Sequence, residues 1–169
     1  MDMKKENETA RGRFKNVVQK NALPESSWAR ETGKFGAASF EAAPAIGAKD
    51  LGYSVVSLDP GRISCPFHFH HTEEEMFFVL SGTATLRQGD EECEETLDVN
   101  AGDFIAYPGG TGIAHQFINS TNEPFIYLAV SNQVKSDVCE YPDSNKILVR
   151  ATRTILRREP QLEYFDGEV

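Results

Sequence analysis

Gly61-Arg-Ile-Ser-Cys-Pro-Phe-His68-Phe-His70-His71-Thr-Glu-Glu-Glu75-Met-Phe-Phe-Val-Leu-Ser-Gly82 sets His68 and His70 two residues apart in a β-prone run and follows them with a carboxylate. On a strand, residues i and i+2 point to the same face, so both imidazoles can aim at one point. Phe67, Phe69 and His71 then face the other way, as does Cys65, which is odd-parity to His68. The acidic segment 72–75 turns the chain. A strand returning antiparallel carries Glu75 back beside the two histidines.

A second stretch completes the pattern: Gly102-Asp-Phe-Ile-Ala-Tyr-Pro108-Gly-Gly110-Thr-Gly-Ile-Ala-His115-Gln-Phe-Ile-Asn119. All four histidines of the chain fall in these two stretches. Histidines serving core packing would not gather this way. Neutral imidazole is the commonest protein metal ligand, and His68, His70, Glu75 and His115 make a mixed nitrogen and oxygen donor set. His115 follows Glu75 by about 40 residues. Ligands drawn from such distant strands require a sheet curled on itself, with side chains alternating in and out.

The chain around these motifs reads as all-β. Strands are expected over 53–58, 63–70, 76–81, 83–88, 95–99, 103–107, 114–118, 125–131, 146–151 and 153–157, short and rich in Val, Ile, Phe, Tyr and Thr. Turn signals separate them, such as Asp59-Pro-Gly61, Gln88-Gly-Asp90, Asn100-Ala-Gly102 and Asn122-Glu-Pro124. Short strands at this spacing mean a sandwich or barrel. The aromatics Phe67, Phe69, Phe77, Phe78, Phe104 and Phe117 are expected in the core. Residues 1–20 are polar and lysine-rich and are expected to form a flexible arm. Residues 21–50, rich in small residues, are expected to form an ordered strap with one short strand near 38–42. A single domain then spans 21–169, with the motif core at 52–131.

Bulk composition narrows the partners. The 169 residues carry 17 Lys and Arg against 26 Asp and Glu, a net charge of -9. Nucleic acid and anionic membranes both need basic patches, so neither is an expected partner. The N-terminus has charge but no apolar run behind it, and Cys65, Cys93 and Cys139 form no CxxC pair. Both features suit a reducing cytoplasm. A strap crossing to a neighbour's sheet edge would make a homodimer.

The spacing G-x6-HxH-x4-E-x6-G, followed by G-x5-P-x-G-x4-H-x3-N, resembles the two motifs of the cupin superfamily. The resemblance covers residues 52–131 and includes the four ligand positions, Gly61, Gly82, Gly102, Gly110, Pro108 and Asn119. Glu74 also fits a looser form of the spacing, but Glu75 keeps the six-residue gap to Gly82. The resemblance implies a cupin double-stranded β-helix, a jelly-roll barrel of roughly six to eight strands, holding one divalent metal. The gaps before the first and third histidines are longer than the tightest form of the pattern, and the extra residues lie in loops. Segments 119–129, 137–146 and 164–168 further resemble small bacterial single-domain cupins of the sugar-phosphate isomerase-like group.

Three imidazoles and one carboxylate occupy four corners of an octahedron and leave adjacent corners for a small-molecule ligand. The set suits Fe, Mn, Ni or Zn. An isomerase acting on a sugar or sugar phosphate is the leading expectation. An Fe(II)-dependent dioxygenase and a non-enzymatic sensor are the alternatives. Proton transfer would need a further group, for which Tyr107, Tyr127 and Glu140 are the candidates. A phosphate would need a basic cluster such as Lys146 with Arg150, or Arg62.

Overall fold

A computed structural model describes residues 15–29, 33–90 and 92–169. Among them the chain runs through β1 (Ser26–Ala29), β2 (Gly36–Glu41), β3 (Gly52–Leu58), β4 (Phe69–His70), β5 (Glu75–Ser81), β6 (Thr83–Gly89), β7 (Glu94–Asn100), β8 (Phe104–Tyr107), β9 (Ala114–Ile118), β10 (Phe125–Ser131), β11 (Val138–Tyr141), β12 (Lys146–Val149) and β13 (Thr154–Arg157).

One layer is the sheet β1-β2-β3-β10-β5-β8. The other comes in two pieces, β13-β12-β11-β4 and β7-β6-β9. A backbone bridge between His68 and His115 joins those pieces, with His115 N–H donating to His68 O at 2.9 Å. The layers are those of a double-stranded β-helix, as expected.

Alternation builds the core. On β3 the buried positions are Gly52, Ser54, Val56 and Leu58, every second residue. Val79 of β5, Leu86 of β6 and Val99 of β7 meet them from both layers. At the centre Phe117 touches Phe77 edge-on at 5.2 Å and Tyr127 at 5.0 Å, and Phe125 lies 5.3 Å from Tyr127. Each such side chain contributes about 1.5–3 kcal/mol by leaving water. This plug closes the interior on one side of the histidines.

Two glycines are set by close approach. Gly82, at φ 81°, turns β5 into β6, and a Cβ there would sit 2.4 Å from Pro124 O. A Cβ on Gly109 would sit 2.6 Å from the Thr72 carbonyl carbon. The loop before β9 therefore lies flat on the turn after β4, where Gly110 N–H donates to His70 O at 2.9 Å. This contact seats the third histidine against the first two.

Several expectations need correction. The strand expected over 63–70 is broken: Ile63 and His68 make isolated bridges, and only Phe69–His70 is a strand. Ser64 N–H donates to Phe117 O, the chain bends at Cys65, and Pro66 has no N–H to extend a ladder. The strap holds two strands, β1 and β2, with β2 paired to β3 of the same chain. β11 was not foreseen, and β12 ends at Val149, before the expected 151. Phe104 is 74% exposed and packs on Phe78 at 4.4 Å outside the core. Of the arm expected over 1–20, residues 1–14 lie outside the described residues.

Replacing Phe117 with Ala removes the ring shared by Phe77, Phe125 and Tyr127. The expected loss is about 3–5 kcal/mol in a denaturant titration, and a loss below about 1 kcal/mol would contradict this packing.

Candidate metal centre

The two layers bring three imidazoles to one carboxylate oxygen. Nε2 of His115, His70 and His68 lie 3.2, 3.4 and 3.7 Å from Glu75 Oε2. Glu75 opens β5 and pairs in register with Tyr107 of β8. His115 sits on β9, whose edge meets His68.

Hydrogen bonds on the far side of the rings fix which nitrogen faces inward. His68 Nδ1–H donates to Pro66 O at 2.9 Å, and His70 Nδ1–H donates to Asp137 Oδ2 at 2.6 Å. Each bond commits Nδ1 outward and turns Nε2 toward the centre. His115 is held by stacking instead: the Tyr107 ring lies 3.9 Å away at 9°. Tyr107 is itself fixed by donating its O–H to Gln88 Oε1 at 2.8 Å.

Asp137, fully buried, supports this arrangement and was not singled out from the sequence. Its Oδ1 accepts Thr72 N–H at 2.8 Å, Thr72 Oγ1–H at 3.0 Å and Glu73 N–H at 3.0 Å, while Oδ2 takes His70. Burial works against its charge, but these donors outweigh it and hold its carboxyl below the usual range. Arg150 pairs with the buried Glu73 next to it. No local signal marks Asp137, because its partners lie more than 60 residues away in the chain.

Other sequence candidates are sorted by facing. Glu74 is exposed and donates its N–H to Asn132 Oδ1, so Glu75 is the inward carboxylate. His71 turns outward, its side chain 46% exposed, and binds Glu140 Oε1 at 2.7 Å. Glu140 lies opposite Phe69 in register, and Arg158 holds its other oxygen at 3.0 Å. The structure therefore does not bring Glu140 to the imidazoles. Tyr127 lines the cavity beside them. Arg150 is committed to Glu73, and Arg62 Nη1 donates to Gly33 O at 3.2 Å.

Cys65 was expected to face away and does not. The bend that breaks the strand turns its Sγ to 3.6 Å from His68 Nδ1, and it lines the same cavity. Cys139 stands opposite His70 in register, its thiol within 4.8 Å of nitrogens of His68 and His70. Burial pushes that thiol up to about 12.

The donor set fits a cation on a direct observation. Glu75 Oε2 and both ring nitrogens of His115 are buried without a well-aligned hydrogen-bond partner. Leaving such atoms unsatisfied costs about 1–3 kcal/mol each. Burial opposes charge on Glu75, yet the closeness of His115, His68 and His70 lowers it to about 2. Burial lowers His115 to about 4. Burial also works against a proton on His68, but Cys65 and Glu75 prevail and raise it to about 9. At neutral pH the centre thus holds an ionised carboxylate, a neutral His115 and a proton on His68, and a divalent cation bound there would displace that proton.

Beyond the imidazoles opens a cavity of about 240 Å³, whose wall includes Ser39, Glu41, Ser54, Ser64 and Tyr127. Burial raises the Tyr127 phenol well above its ordinary value. It raises the Tyr107 phenol too. Both stay protonated and can donate a hydrogen bond rather than accept a proton.

Asp137→Ala strands the N–H groups of Thr72, Glu73 and His70. It should cost about 2–4 kcal/mol of stability and weaken divalent-metal affinity about 10–100-fold. Unfolding and metal titrations of the variant check both; an unchanged metal affinity would remove Asp137 from the centre.

The cupin domain family matches residues 54–131. No curated protein sequence matches the chain. Among solved structures, a candidate sugar phosphate isomerase from Acidithiobacillus ferrooxidans is similar at TM-score 0.75 and 22% identity, over 88% of this chain and 97% of that one. A cupin-superfamily sugar phosphate isomerase from Silicibacter pomeroyi is similar at TM-score 0.71 and 23% identity, over 89% and 98%. The polyketide cyclase RemF from Streptomyces resistomycificus is similar at 0.55 and 24%, over 68% and 77%. At these identities the likeness is one of fold, and the three proteins bear the names of two different chemistries.

Proposed function

We propose, from the match of residues 54–131 to the cupin domain family, that the chain holds one divalent metal ion through His68, His70, Glu75 and His115 and acts as an isomerase on a sugar or sugar phosphate. The observation that carries the metal reading is the convergence of three Nε2 atoms on Glu75 Oε2, with that oxygen and His115 Nε2 buried and lacking aligned partners. Among the described residues lining the cavity beyond the imidazoles none is a lysine or arginine. The neighbouring hydroxyls of Ser39, Ser54, Ser64 and Tyr127 support a polyhydroxylated ligand. The fold shared with two proteins named as sugar phosphate isomerases supports the class.

A bound divalent ion supplies a Lewis acid that polarises a carbonyl oxygen. The chain's own residues do the rest. Tyr127 keeps its proton and donates a hydrogen bond to a ligand oxygen. Tyr107 is a positioning residue, since its ring sets the plane of His115 and its hydroxyl is spent on Gln88. The aromatic plug of Phe77, Phe117 and Phe125 excludes water from the closed end. A cytoplasmic homodimer belongs to the same proposal: β1 lies at the outer edge of its sheet, and a monomer mass by light scattering would remove that part.

His115→Ala should strip most bound metal and leave the fold intact, whereas His71→Ala should keep it; elemental analysis and circular dichroism read both. Isomerase activity is tested by following aldose–ketose interconversion by NMR across aldoses, ketoses and their phosphates. No interconversion by metal-loaded protein refutes it. Fe(II)-dependent oxygen consumption would instead assign a dioxygenase.

A further inference from the structure

The wall of the cavity facing away from the histidines is built by β2 and β3. Glu41 and Ser54 are register partners, and so are Ser39 and Val56; all four line the cavity that His68, Glu75 and His115 also line. Ser39 and Glu41 are two apart on one strand and so share a face, and Ser39 Oγ–H donates to Glu41 Oε1 at 2.8 Å. Ser39 and Ser54 are buried, while Glu41 is exposed at the mouth. The result is a carboxylate flanked by hydroxyls, across the cavity from the imidazoles.

No lysine or arginine is among the described residues that line this cavity. Two carboxylates, Glu75 inside and Glu41 at the mouth, would balance one divalent charge. An uncharged ligand preserves that balance. A phosphate would meet Glu41 as a like charge, with the divalent charge already balanced and no lysine or arginine among the described lining residues to answer it. The basic residues that could have served a phosphate are elsewhere: Arg150 pairs with Glu73, and Lys146 lines other clefts.

We infer that Glu41, with Ser39 and Ser54, forms a hydroxyl-recognition subsite that selects an uncharged polyhydroxylated ligand over its phosphate ester. A carboxylate accepts two hydrogen bonds from neighbouring hydroxyls of such a ligand, and the serine hydroxyls give or accept a third. The inference rests on the metal-centred reading above and decides between the two substrate classes named there. It also assigns a role to the small-residue strap: β2 completes the ligand cavity from outside the matched family domain.

The test is calorimetric binding to metal-loaded protein of dihydroxyacetone, erythrulose, xylulose and fructose, each against its terminal phosphate. At least one uncharged sugar should bind, and bind about tenfold or more tighter than its phosphate. Glu41→Gln should weaken the uncharged sugar about tenfold and narrow the discrimination, with metal content and thermal midpoint unchanged. Ser54→Ala, which keeps the carboxylate, should weaken the sugar without narrowing it. A phosphate binding tighter than its parent sugar overturns the inference, as does Glu41→Gln leaving both affinities unchanged, or no member of the panel binding. Failure of the metal reading is seen separately, as absence of divalent metal before any sugar is added.

Discussion

Three imidazoles gathered around one buried carboxylate are the constraint on which the rest of this structure depends. The carboxylate of Glu75 is out of water, and its Oε2 has no aligned hydrogen-bond donor. The imidazoles compensate only because rigid elements deliver them together from two stretches of the chain. His68 and His115 meet because their backbones bridge, His70 because Asp137 holds its outer nitrogen, and Glu75 because the turn after β4 folds back at once. Releasing any of these would leave charge in a low-dielectric interior without an opposite partner, which is costly.

That constraint explains features far from the centre. The buried Asp137 anchors the turn over residues 72–73 as well as His70, so the same group sets the path of the chain and the ring orientation. The contact of Gly109 with Thr72 brings the loop before His115 down onto that turn. Tyr107, opposite Glu75 on β8, stacks on His115 and completes the frame. The hydrophobic plug beneath is continuous with the site, since Phe77 lies 5.5 Å from His115.

Much of this was legible in the sequence, for local reasons. The spacing of His68 and His70, the turn before Glu75 and the glycines at strand reversals are short-range signals, and Nε2 of His70 and of His68 lie 3.4 and 3.7 Å from Glu75 Oε2. Alternation breaks down where the strand expected over 63–70 bends at Cys65 and Pro66. Cys65 lies beyond the bend at Pro66, so parity counted from His68 does not reach it. Phe104 failed for another reason: its strand lies at the edge of its sheet, where one face has no opposing layer. The strands β1 and β11 were hard to read because small or mixed residues give weak alternation, and their pairing partners stabilise them.

The sequence by itself determined the all-β class, the candidate ligands and the outward turn of His71, because each follows from residue type and spacing within about ten positions. Only the tertiary structure decided which groups stand behind and across from those ligands. Asp137 and Cys139 reach the centre, and Glu41 the cavity beyond it, through sheet pairing and closure of the layers. Such contacts join residues far apart in the chain, and no spacing within a motif encodes them.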